Sequence, residues 1–240
     1  MKVNDFVNEF ESFYIPLLGV RLPTFKIDDT FKKEVNLDAD ASNFDFLRSL
    51  CLRGFRDLKI DKGSAKYQEY ADRIKHELTI MQDLGFVDYI LLVWDVINFC
   101  KINDIPTGIG RGSAAGSLVL YVIGVTKIDP IKYGLYFERF ISKTRAKKKV
   151  IDGITYLDGS LMCDVDLDIC YYNRPKVLKY LEEKFKGKTS KILTFNTLSC
   201  KLLIKELGKV VSMKSDEEMT RVTGMLPKVH GLLQDLSYAH

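Results

Sequence analysis

The sequence lacks the motifs that are typical of zinc-binding, secreted or membrane proteins. Its five cysteines and three histidines are scattered along 240 residues, and no two cysteines form a C-x-x-C pair. This pattern excludes the common zinc frameworks and predicts reduced thiols in a cytoplasmic protein. The amino terminus lacks the apolar core of a signal peptide, and Met1 there favours a separately encoded short chain. The longest apolar stretch, Tyr89 to Phe99, is short and contains Asp95, so we expect no membrane span.

A strong net charge is also missing. The formal charge of +4 is too small to indicate nucleic-acid binding by itself. The basic residues are unevenly spread, however, because residues 143–149 hold five of them and no acid. Such a run is typical of a solvated loop, and phosphate contact is the alternative. Apolar residues make up 46% of the chain, which predicts a folded core rather than a disordered protein.

Apolar residues at helical spacing dominate the first half of the chain. The pattern predicts one helix capped by Asn43, a second from Tyr67 to Asp83 and a third from Val87 to Lys101. Gly85 should stop the second helix, and Pro106 should follow the end of the third. The bulky apolar side chains of these helices are expected to form the core.

The second half predicts a mixture of helices and strands. A short apolar helix at 118–123 is followed by a polar hairpin at 147–158, with Asp-Gly as its turn. A helix from Asn173 to about Lys186 and a strand from Lys191 to Phe195 come next. A final amphipathic helix should begin near Thr197.

A run of small residues, T-G-I-G-R-G-S-A-A-G-S, occupies Thr107 to Ser117 directly before the apolar helix. Small residues let backbone N–H groups approach a phosphate, and Arg111 can add a bidentate contact. The run lacks the lysine of a P-loop, and no clear strand precedes it, as a dinucleotide fingerprint requires. Close packing of helices through small residues remains the alternative.

The segment at 163–169 alternates strictly between acidic and apolar residues. This pattern predicts a strand with Asp164, Asp166 and Asp168 on one face and its aliphatic residues in a core. Neighbouring carboxylates repel one another, so such a row suits Mg²⁺ and two-metal phosphoryl transfer. An EF-hand loop is excluded, since Pro175 stands where that loop needs glutamate. An acidic edge that discourages strand pairing is the alternative interpretation.

Together with their flanks, these two segments resemble the C-family DNA polymerases, the family of the bacterial polymerase III alpha subunit. The similarity runs in order through most of residues 44–212. It is carried by L-G-F at 84–86, I-P-T-G-I-G-R-G-S-A-A-G-S at 105–117, I-D-P at 128–130, F-E-R-F at 137–140 and K-E-L-G-K-V at 205–210.

The resemblance implies an α+β fold, a polymerase-beta-like nucleotidyltransferase palm in which many helices flank a mixed sheet, with the start of a helical thumb. Residues 1–33 would be a connecting segment, 34–196 the palm-like nucleotidyltransferase domain and 197–240 the beginning of the thumb-like region. The implied activity is DNA-directed DNA polymerisation in replication, with primer-template DNA and deoxynucleoside triphosphates as substrates.

The resemblance also implies roles for individual residues. Asp164 and Asp166 would bind two catalytic Mg²⁺ ions, whereas the role of Asp168 stays open. The incoming triphosphate would be held by Gly110, Arg111, Gly112, Ser113 and Ser117. DNA phosphates would meet three lysines at four-residue spacing, Lys201, Lys205 and Lys209, although a merely solvated helix face explains these lysines equally well.

The chain departs from the family pattern in several places. Cys163 replaces a proline before the aspartates, and extra residues precede that segment. The family's third catalytic carboxylate would lie beyond residue 240, so we expect another chain to supply the rest of the polymerase. Two other functions stay open: a non-catalytic remnant that binds DNA or a polymerase, and a template-independent nucleotidyltransferase.

Overall fold

The computed structural model describes residues 20–21, 24–142, 148–151, 154–157, 163–191, 198–226, 228–229 and 232–233. The chain divides into two compact units, Met1–Lys186 and Gly187–His240. Helices account for most of the described residues. They are α1 Asp29–Glu34, α2 Asn43–Asp57, α3 Ala65–Leu84, α4 Val87–Ile102, α5 Leu118–Val122 and α6 Arg174–Lys184 in the first unit, and α7 Cys200–Val210 and α8 Asp216–Gly224 in the second.

The helices predicted from apolar spacing are confirmed, with small differences at their ends. α2 begins at Asn43, but its cap is Ser42, whose hydroxyl accepts a hydrogen bond from the Asp45 N–H. The Asn43 side chain instead donates to Asp88 Oδ1 at 2.8 Å. α3 ends at Gly85, which takes a left-handed φ of 79° that a residue with a Cβ rarely adopts.

The strands are short. β1 (Val20–Arg21), β2 (Lys148–Ile151) and β3 (Ile154–Leu157) form an antiparallel sheet in the order β1-β3-β2, and β4 (Lys228–Val229) pairs with β5 (Leu232–Leu233). Strands β2 and β3 confirm the hairpin predicted at 147–158, since Ile151 pairs with Ile154. The Asp-Gly turn, most of the basic run at 143–149 and nearly all of the strand predicted at 191–195 lie outside the described residues.

The predicted α+β palm with a mixed sheet is wrong for the described chain. The strands there are two to four residues long and all pair antiparallel, while helices carry the structure. The expected aspartate strand makes a single isolated bridge, between Thr107 and Ile169. The physical reason is that an extended segment outside a sheet can show the same alternation of acidic and apolar residues as a strand. Val165 and Leu167 pack against the core, whereas Asp164 and Asp168 are exposed and Asp166 is half-buried.

The core of the first unit lies between α2, α3, α4 and α5. Its largest fully buried side chains include Phe46, Tyr70 and Phe86. The Trp94 ring meets the Phe46 ring edge-on, with 5.3 Å between the ring centroids. Such aromatic pairs add to the free energy gained by burying apolar surface, so these helices give the neighbouring loops a rigid support.

Asp95, which interrupts the apolar stretch of α4, is almost fully buried. Its carboxylate accepts hydrogen bonds from Tyr180 Oη at 2.7 Å and from Lys184 Nζ at 2.6 Å, both on α6. A buried carboxylate without partners would cost several kcal/mol, on the order of 3–5 when an ion pair is broken. These contacts therefore attach α6, which follows the aspartate segment in sequence, to α4.

The described thiols agree with the expectation of reduced cysteines. All five are free, and Cys51, Cys100 and Cys163 are buried. Burial raises the pKa of the Cys163 thiol to about 12, so this thiol stays protonated and unreactive near neutral pH. Within the described ranges, no helix is both long and apolar enough to cross a membrane.

Candidate functional site

The glycine-rich segment and the aspartate segment lie side by side. The Gly108 N–H donates to the Asp168 carbonyl at 2.8 Å, and the Cys170 N–H donates to the Pro106 carbonyl at 3.0 Å. These reciprocal backbone hydrogen bonds align the two segments in antiparallel directions. The two motifs that the sequence singled out separately therefore belong to one site.

The close approach of the two segments depends on glycine. A Cβ atom on Gly108 would lie 2.8 Å from the Asp168 Cβ, a distance that real Cβ atoms essentially never show. Gly110 has a φ of 97°, and a Cβ there would lie 2.9 Å from Thr126 Cγ2. Glycine supplies both the left-handed conformation and the missing volume. A larger residue at Gly108 would push the two segments apart, and one at Gly110 would clash with Thr126.

Arg111 brings a positive charge to the carboxylates. Its Nε lies 3.4 Å from Asp168 Oδ1, and its Nη2 lies 3.7 Å from Asp166 Oδ1. All three side chains are substantially exposed, at 62% for Arg111, 43% for Asp166 and 55% for Asp168. Ion pairs this exposed contribute only about 0–1 kcal/mol. Arg111 is therefore held near the aspartates by weak contacts and can change partners at low cost.

Tyr89 of α4 is a neighbour of this site that the sequence reasoning missed. Burial raises the pKa of its hydroxyl to about 12, and the charges of Asp164 and Asp166 act in the same direction. The hydroxyl is therefore protonated at neutral pH. Its position inside an apolar helix gave no signal for this placement.

Glu77 of α3 is a buried carboxylate that holds the end of the glycine-rich segment. It accepts hydrogen bonds from the Ser117 hydroxyl at 2.8 Å and from the N–H groups of Leu118 and Val119, both at 3.0 Å. Arg73 Nε completes the set at 2.7 Å. Burial raises the pKa of the Glu77 carboxyl, while these hydrogen bonds and the Arg73 charge oppose that shift. The network fixes the first turn of α5.

Arg73 extends this network to the 3₁₀ turn at Gly112–Gly116. Its Nη2 donates to the carbonyl of Gly116 at 2.9 Å and to that of Leu135 at 3.2 Å. The glycine-rich turn is thus supported by an ion pair, Arg73–Glu77, on helix α3. The sequence held a signal for it, because Glu77 falls on the apolar stripe of that helix beside Leu78.

The predicted triphosphate residues do not share one environment. Arg111 and Gly112 are exposed, whereas Ser113 and Gly110 are half-buried. A Cβ on Gly112 would lie 3.5 Å from Asp166 Oδ2, so the backbone there borders the carboxylate directly.

Ser117 stands apart from these residues. It is fully buried, donates to Glu77, and accepts the Leu120 N–H at 3.2 Å as the cap of α5. Its surroundings favour a structural role over contact with a ligand.

The three predicted DNA-binding lysines lie on α7, in the second unit. Lys209 is paired with Asp216 of α8, and its Nζ is 3.7 Å from Glu206 Oε1. Lys205 Nζ lies 4.0 Å from the other oxygen of Asp216, whereas Lys201 is exposed. Two of the three charges are therefore partly balanced by acids on the same unit.

The donor set beside the glycine-rich segment suits a hard divalent cation in combination with a polyphosphate. In the part of the chain that the structure describes, no group of three or more His, Cys, Asp or Glu residues is arranged to hold a metal. Mg²⁺, however, is usually bound through one or two carboxylates together with substrate phosphates and water. Asp164 and Asp166 supply that number of carboxylates.

A glycine-rich turn and an arginine next to a row of carboxylates is the arrangement expected of proteins that handle metal-associated polyphosphates. Comparison with known proteins agrees with this class and narrows it. The family model described as the bacterial DNA polymerase III alpha NTPase domain matches residues 45–239. The chain belongs to this family, which confirms the resemblance seen in its motifs.

Individual relatives support the same assignment. The DNA polymerase III subunit alpha of Aquifex aeolicus is 34% identical over 219 residues, which is 87% of this chain and 18% of the relative. The proteins of the same name from Borreliella burgdorferi and Chlamydia muridarum are 33% and 31% identical, over 91% and 95% of this chain and 17% of each relative. The chain thus spans less than a fifth of the length of these relatives.

Proposed function

We propose that this chain provides the nucleotide-binding part of a DNA-directed DNA polymerase, which transfers deoxynucleotides to a primer during replication. The observation that carries the proposal is the backbone pairing between the two segments. The hydrogen bond from Gly108 to Asp168 joins the glycine-rich segment, which we propose binds phosphate, to the segment that holds the two aspartates proposed to bind metal. The relatives are DNA polymerase III alpha subunits by name, and two-metal phosphoryl transfer needs carboxylates next to a bound triphosphate.

The triphosphate would lie against the turn formed by Gly110, Arg111, Gly112 and Ser113. Arg111 would leave Asp166 and Asp168 and donate to phosphate oxygens, an exchange made easy by the exposure of its present ion pairs. Ser117 would act indirectly, since its hydroxyl holds the start of α5 behind the turn. Bound in this way, the triphosphate would face the carboxylates.

Asp164 and Asp166 would hold Mg²⁺, and Asp168 would orient Arg111. When bound, two Mg²⁺ ions activate the primer 3′-hydroxyl and neutralise charge on the triphosphate. The protein's own contribution is positional. Arg111 and the loop backbone would fix the phosphates.

Primer-template DNA is the proposed macromolecular partner. The proposed location of the chain is the cytoplasm. Lys201, Lys205 and Lys209 would contact its phosphates, with Lys201 the most accessible of the three. A two-metal site needs more ligands than Asp164 and Asp166 provide, so residues outside this sequence would supply the remaining catalytic carboxylate and the other parts of the polymerase.

The first test is primer extension by the purified chain, with Mg²⁺ and the four deoxynucleoside triphosphates. Binding of a fluorescent triphosphate to the same protein is measured in parallel. Asp166→Asn is compared with Asp57→Asn, an exposed aspartate at the end of α2. We expect Mg²⁺-dependent triphosphate binding that Asp166→Asn abolishes and Asp57→Asn preserves.

Each outcome separates the candidate functions. Extension that disappears in Asp166→Asn means that the chain carries a complete site. Triphosphate binding without extension supports a polymerase site that is completed by residues outside this sequence. If folded protein binds no triphosphate and Asp166→Asn changes nothing, the polymerase proposal fails and a non-catalytic DNA-binding remnant replaces it.

A further inference from the structure

Two neighbouring tyrosines are the most exposed aromatic side chains in the described part of the chain. Tyr171 is 81% exposed and Tyr172 is 88% exposed. Both belong to the 3₁₀ turn Tyr171–Asn173 that directly follows the aspartate segment. An aromatic ring in water forgoes a large gain from burial, so two adjacent exposed rings indicate an interaction surface.

The fold does not use these rings as anchors. The turn is held from both sides by other groups, since the Cys170 N–H donates to the Pro106 carbonyl and Val177 of α6 is buried behind it. The two rings meet each other edge-to-face, with 5.8 Å between their centroids and an angle of 81° between their planes. Their outer faces are therefore open to a ligand, on a turn whose backbone is fixed.

The position of the tyrosines ties them to the candidate site. Tyr171 follows Asp168 by three residues, so their Cα atoms lie no more than about 10 Å apart even if the chain is extended. Exposed Arg174 and Lys176 come immediately after the turn, in the first part of α6. Aromatic faces beside basic side chains are what single-stranded nucleic acid binds, because bases stack on the rings while cations meet the phosphates.

We propose that Tyr171 and Tyr172 form a stacking platform for unpaired bases of a DNA strand that passes the aspartates, with Arg174 and Lys176 contacting its phosphates. The proposal rests on the function proposed above and specifies that the site contacts unpaired DNA rather than duplex DNA. Unpaired bases are specified because duplex bases are already stacked on one another and present only edges and backbone to a protein. Two solvent-facing rings need an exposed base face, which an unpaired strand offers.

The test measures binding of a fluorescein-labelled oligothymidylate and of a blunt duplex of equal length by anisotropy, in EDTA, over a series of salt concentrations. EDTA removes any requirement for metal or for nucleotidyl transfer. The variants are Tyr171→Ala/Tyr172→Ala, Tyr171→Phe/Tyr172→Phe and Arg174→Gln/Lys176→Gln. Tyr133→Ala serves as the control for loss of an exposed tyrosine elsewhere in the same unit.

Removal of both rings should weaken oligothymidylate binding at least about five-fold, which corresponds to about 1 kcal/mol of stacking. The salt dependence should stay unchanged, and the phenylalanine pair should bind like the parent chain. The Arg174→Gln/Lys176→Gln variant should instead flatten the plot of log K against log salt by about 0.7 for each phosphate that is no longer neutralised. Tyr133→Ala and the blunt duplex should show little effect.

Three results would overturn the platform: unchanged binding by the alanine pair, an equal loss for blunt duplex, or an equal loss in Tyr133→Ala. Absence of any DNA binding by the parent chain would overturn both this inference and the proposed DNA partner. Ring-dependent binding in a chain that fails the Mg²⁺ and triphosphate tests would keep the platform and remove the polymerase proposal.

Discussion

Arg111 Nε lies 3.4 Å from Asp168 Oδ1, so the positive charge of the glycine-rich segment lies next to the aspartate segment. The same guanidinium reaches Asp166 at 3.7 Å. In the proposed site this arginine and Mg²⁺ compete for the Asp166 carboxylate, while the triphosphate attracts both. The affinities of the site for metal and for triphosphate should therefore both depend on Arg111.

The competition predicts that Arg111→Gln has opposite effects on two ligands. Mn²⁺ affinity should rise by up to about five-fold, since an exposed ion pair of at most about 1 kcal/mol is removed. Triphosphate affinity should fall by about ten-fold or more, because a charge-assisted hydrogen bond to phosphate is lost. Electron paramagnetic resonance of free Mn²⁺ and anisotropy of a fluorescent triphosphate measure the two. Arg56→Gln, an exposed arginine on α2, should change neither, and parallel changes in both affinities would contradict the competition.

The pair between the half-buried Arg73 and the fully buried Glu77 predicts a large stability effect for Glu77→Gln. The substitution leaves the Arg73 charge poorly compensated and removes the carboxylate that accepts the Ser117, Leu118 and Val119 donors. Breaking a buried pair of this kind costs about 3–5 kcal/mol in free energy of unfolding, measured by urea titration.

Glu183→Gln is the matched control for that measurement. Glu183 pairs with Lys179 at the same helical spacing, at 3.8 Å, but is 68% exposed. Its loss should cost less than about 0.5 kcal/mol. Equal destabilisation by the two substitutions would mean that the buried network does not hold the glycine-rich turn.

The sequence was informative wherever a local pattern dictates the structure. The helices α2, α3 and α4 follow from apolar spacing, and Gly85 ends α3 because glycine accepts its left-handed φ. The hairpin of β2 and β3 follows from its turn residues. The mixed sheet did not follow, because it was inferred from the family resemblance and from an alternation at 163–169 that a single extended segment satisfies.

Long-range partners could not be read from spacing. Asp95 looked like an interruption of an apolar helix, and its partners Tyr180 and Lys184 lie on α6, far along the chain. The adjacency of the glycine-rich and aspartate segments was expected only through the family resemblance. Glu77 could have been noticed, since a carboxylate on an apolar stripe needs buried donors.

The close backbone contact at Gly108 leads to a prediction for the pairing of the glycine-rich and aspartate segments. Gly108→Ala places a Cβ 2.8 Å from the Asp168 Cβ, so the paired segments must separate. Overpacking of this kind costs about 1–3 kcal/mol, and triphosphate binding should weaken with it. Gly63→Ala is the control, because a Cβ there would meet only Asp61 oxygens at 3.9 Å or more. If both variants unfold at the same urea concentration and bind alike, the close approach at Gly108 does not matter.

Asp216 predicts a pH dependence for the second unit. A hydrogen bond from Lys209 lowers the pKa of the Asp216 carboxyl below its usual 3.8, and the charges of Lys205 and Lys209 act in the same direction. A carboxyl with a depressed pKa in the folded chain stabilises it above the unfolded pKa, and this contribution is lost as the pH falls below about 3.8. Titration of the side-chain carboxyl by NMR measures the pKa directly. A midpoint at or above that of an unfolded chain would contradict the pairing.

The same pair also limits DNA binding, since Asp216 occupies two of the three lysines proposed to meet phosphate. Asp216→Asn should release Lys205 and Lys209, raise affinity for primer-template DNA and steepen its salt dependence by up to about 1 per lysine freed. Lys201→Gln should weaken binding in the parent chain more than Lys209→Gln, because Lys201 is exposed and Lys209 is already paired. Anisotropy over a salt series measures both effects, with Glu183→Gln as the charge-matched control. If Asp216→Asn leaves affinity and salt slope unchanged, this face of α7 does not meet DNA, and its lysines serve only to attach α8.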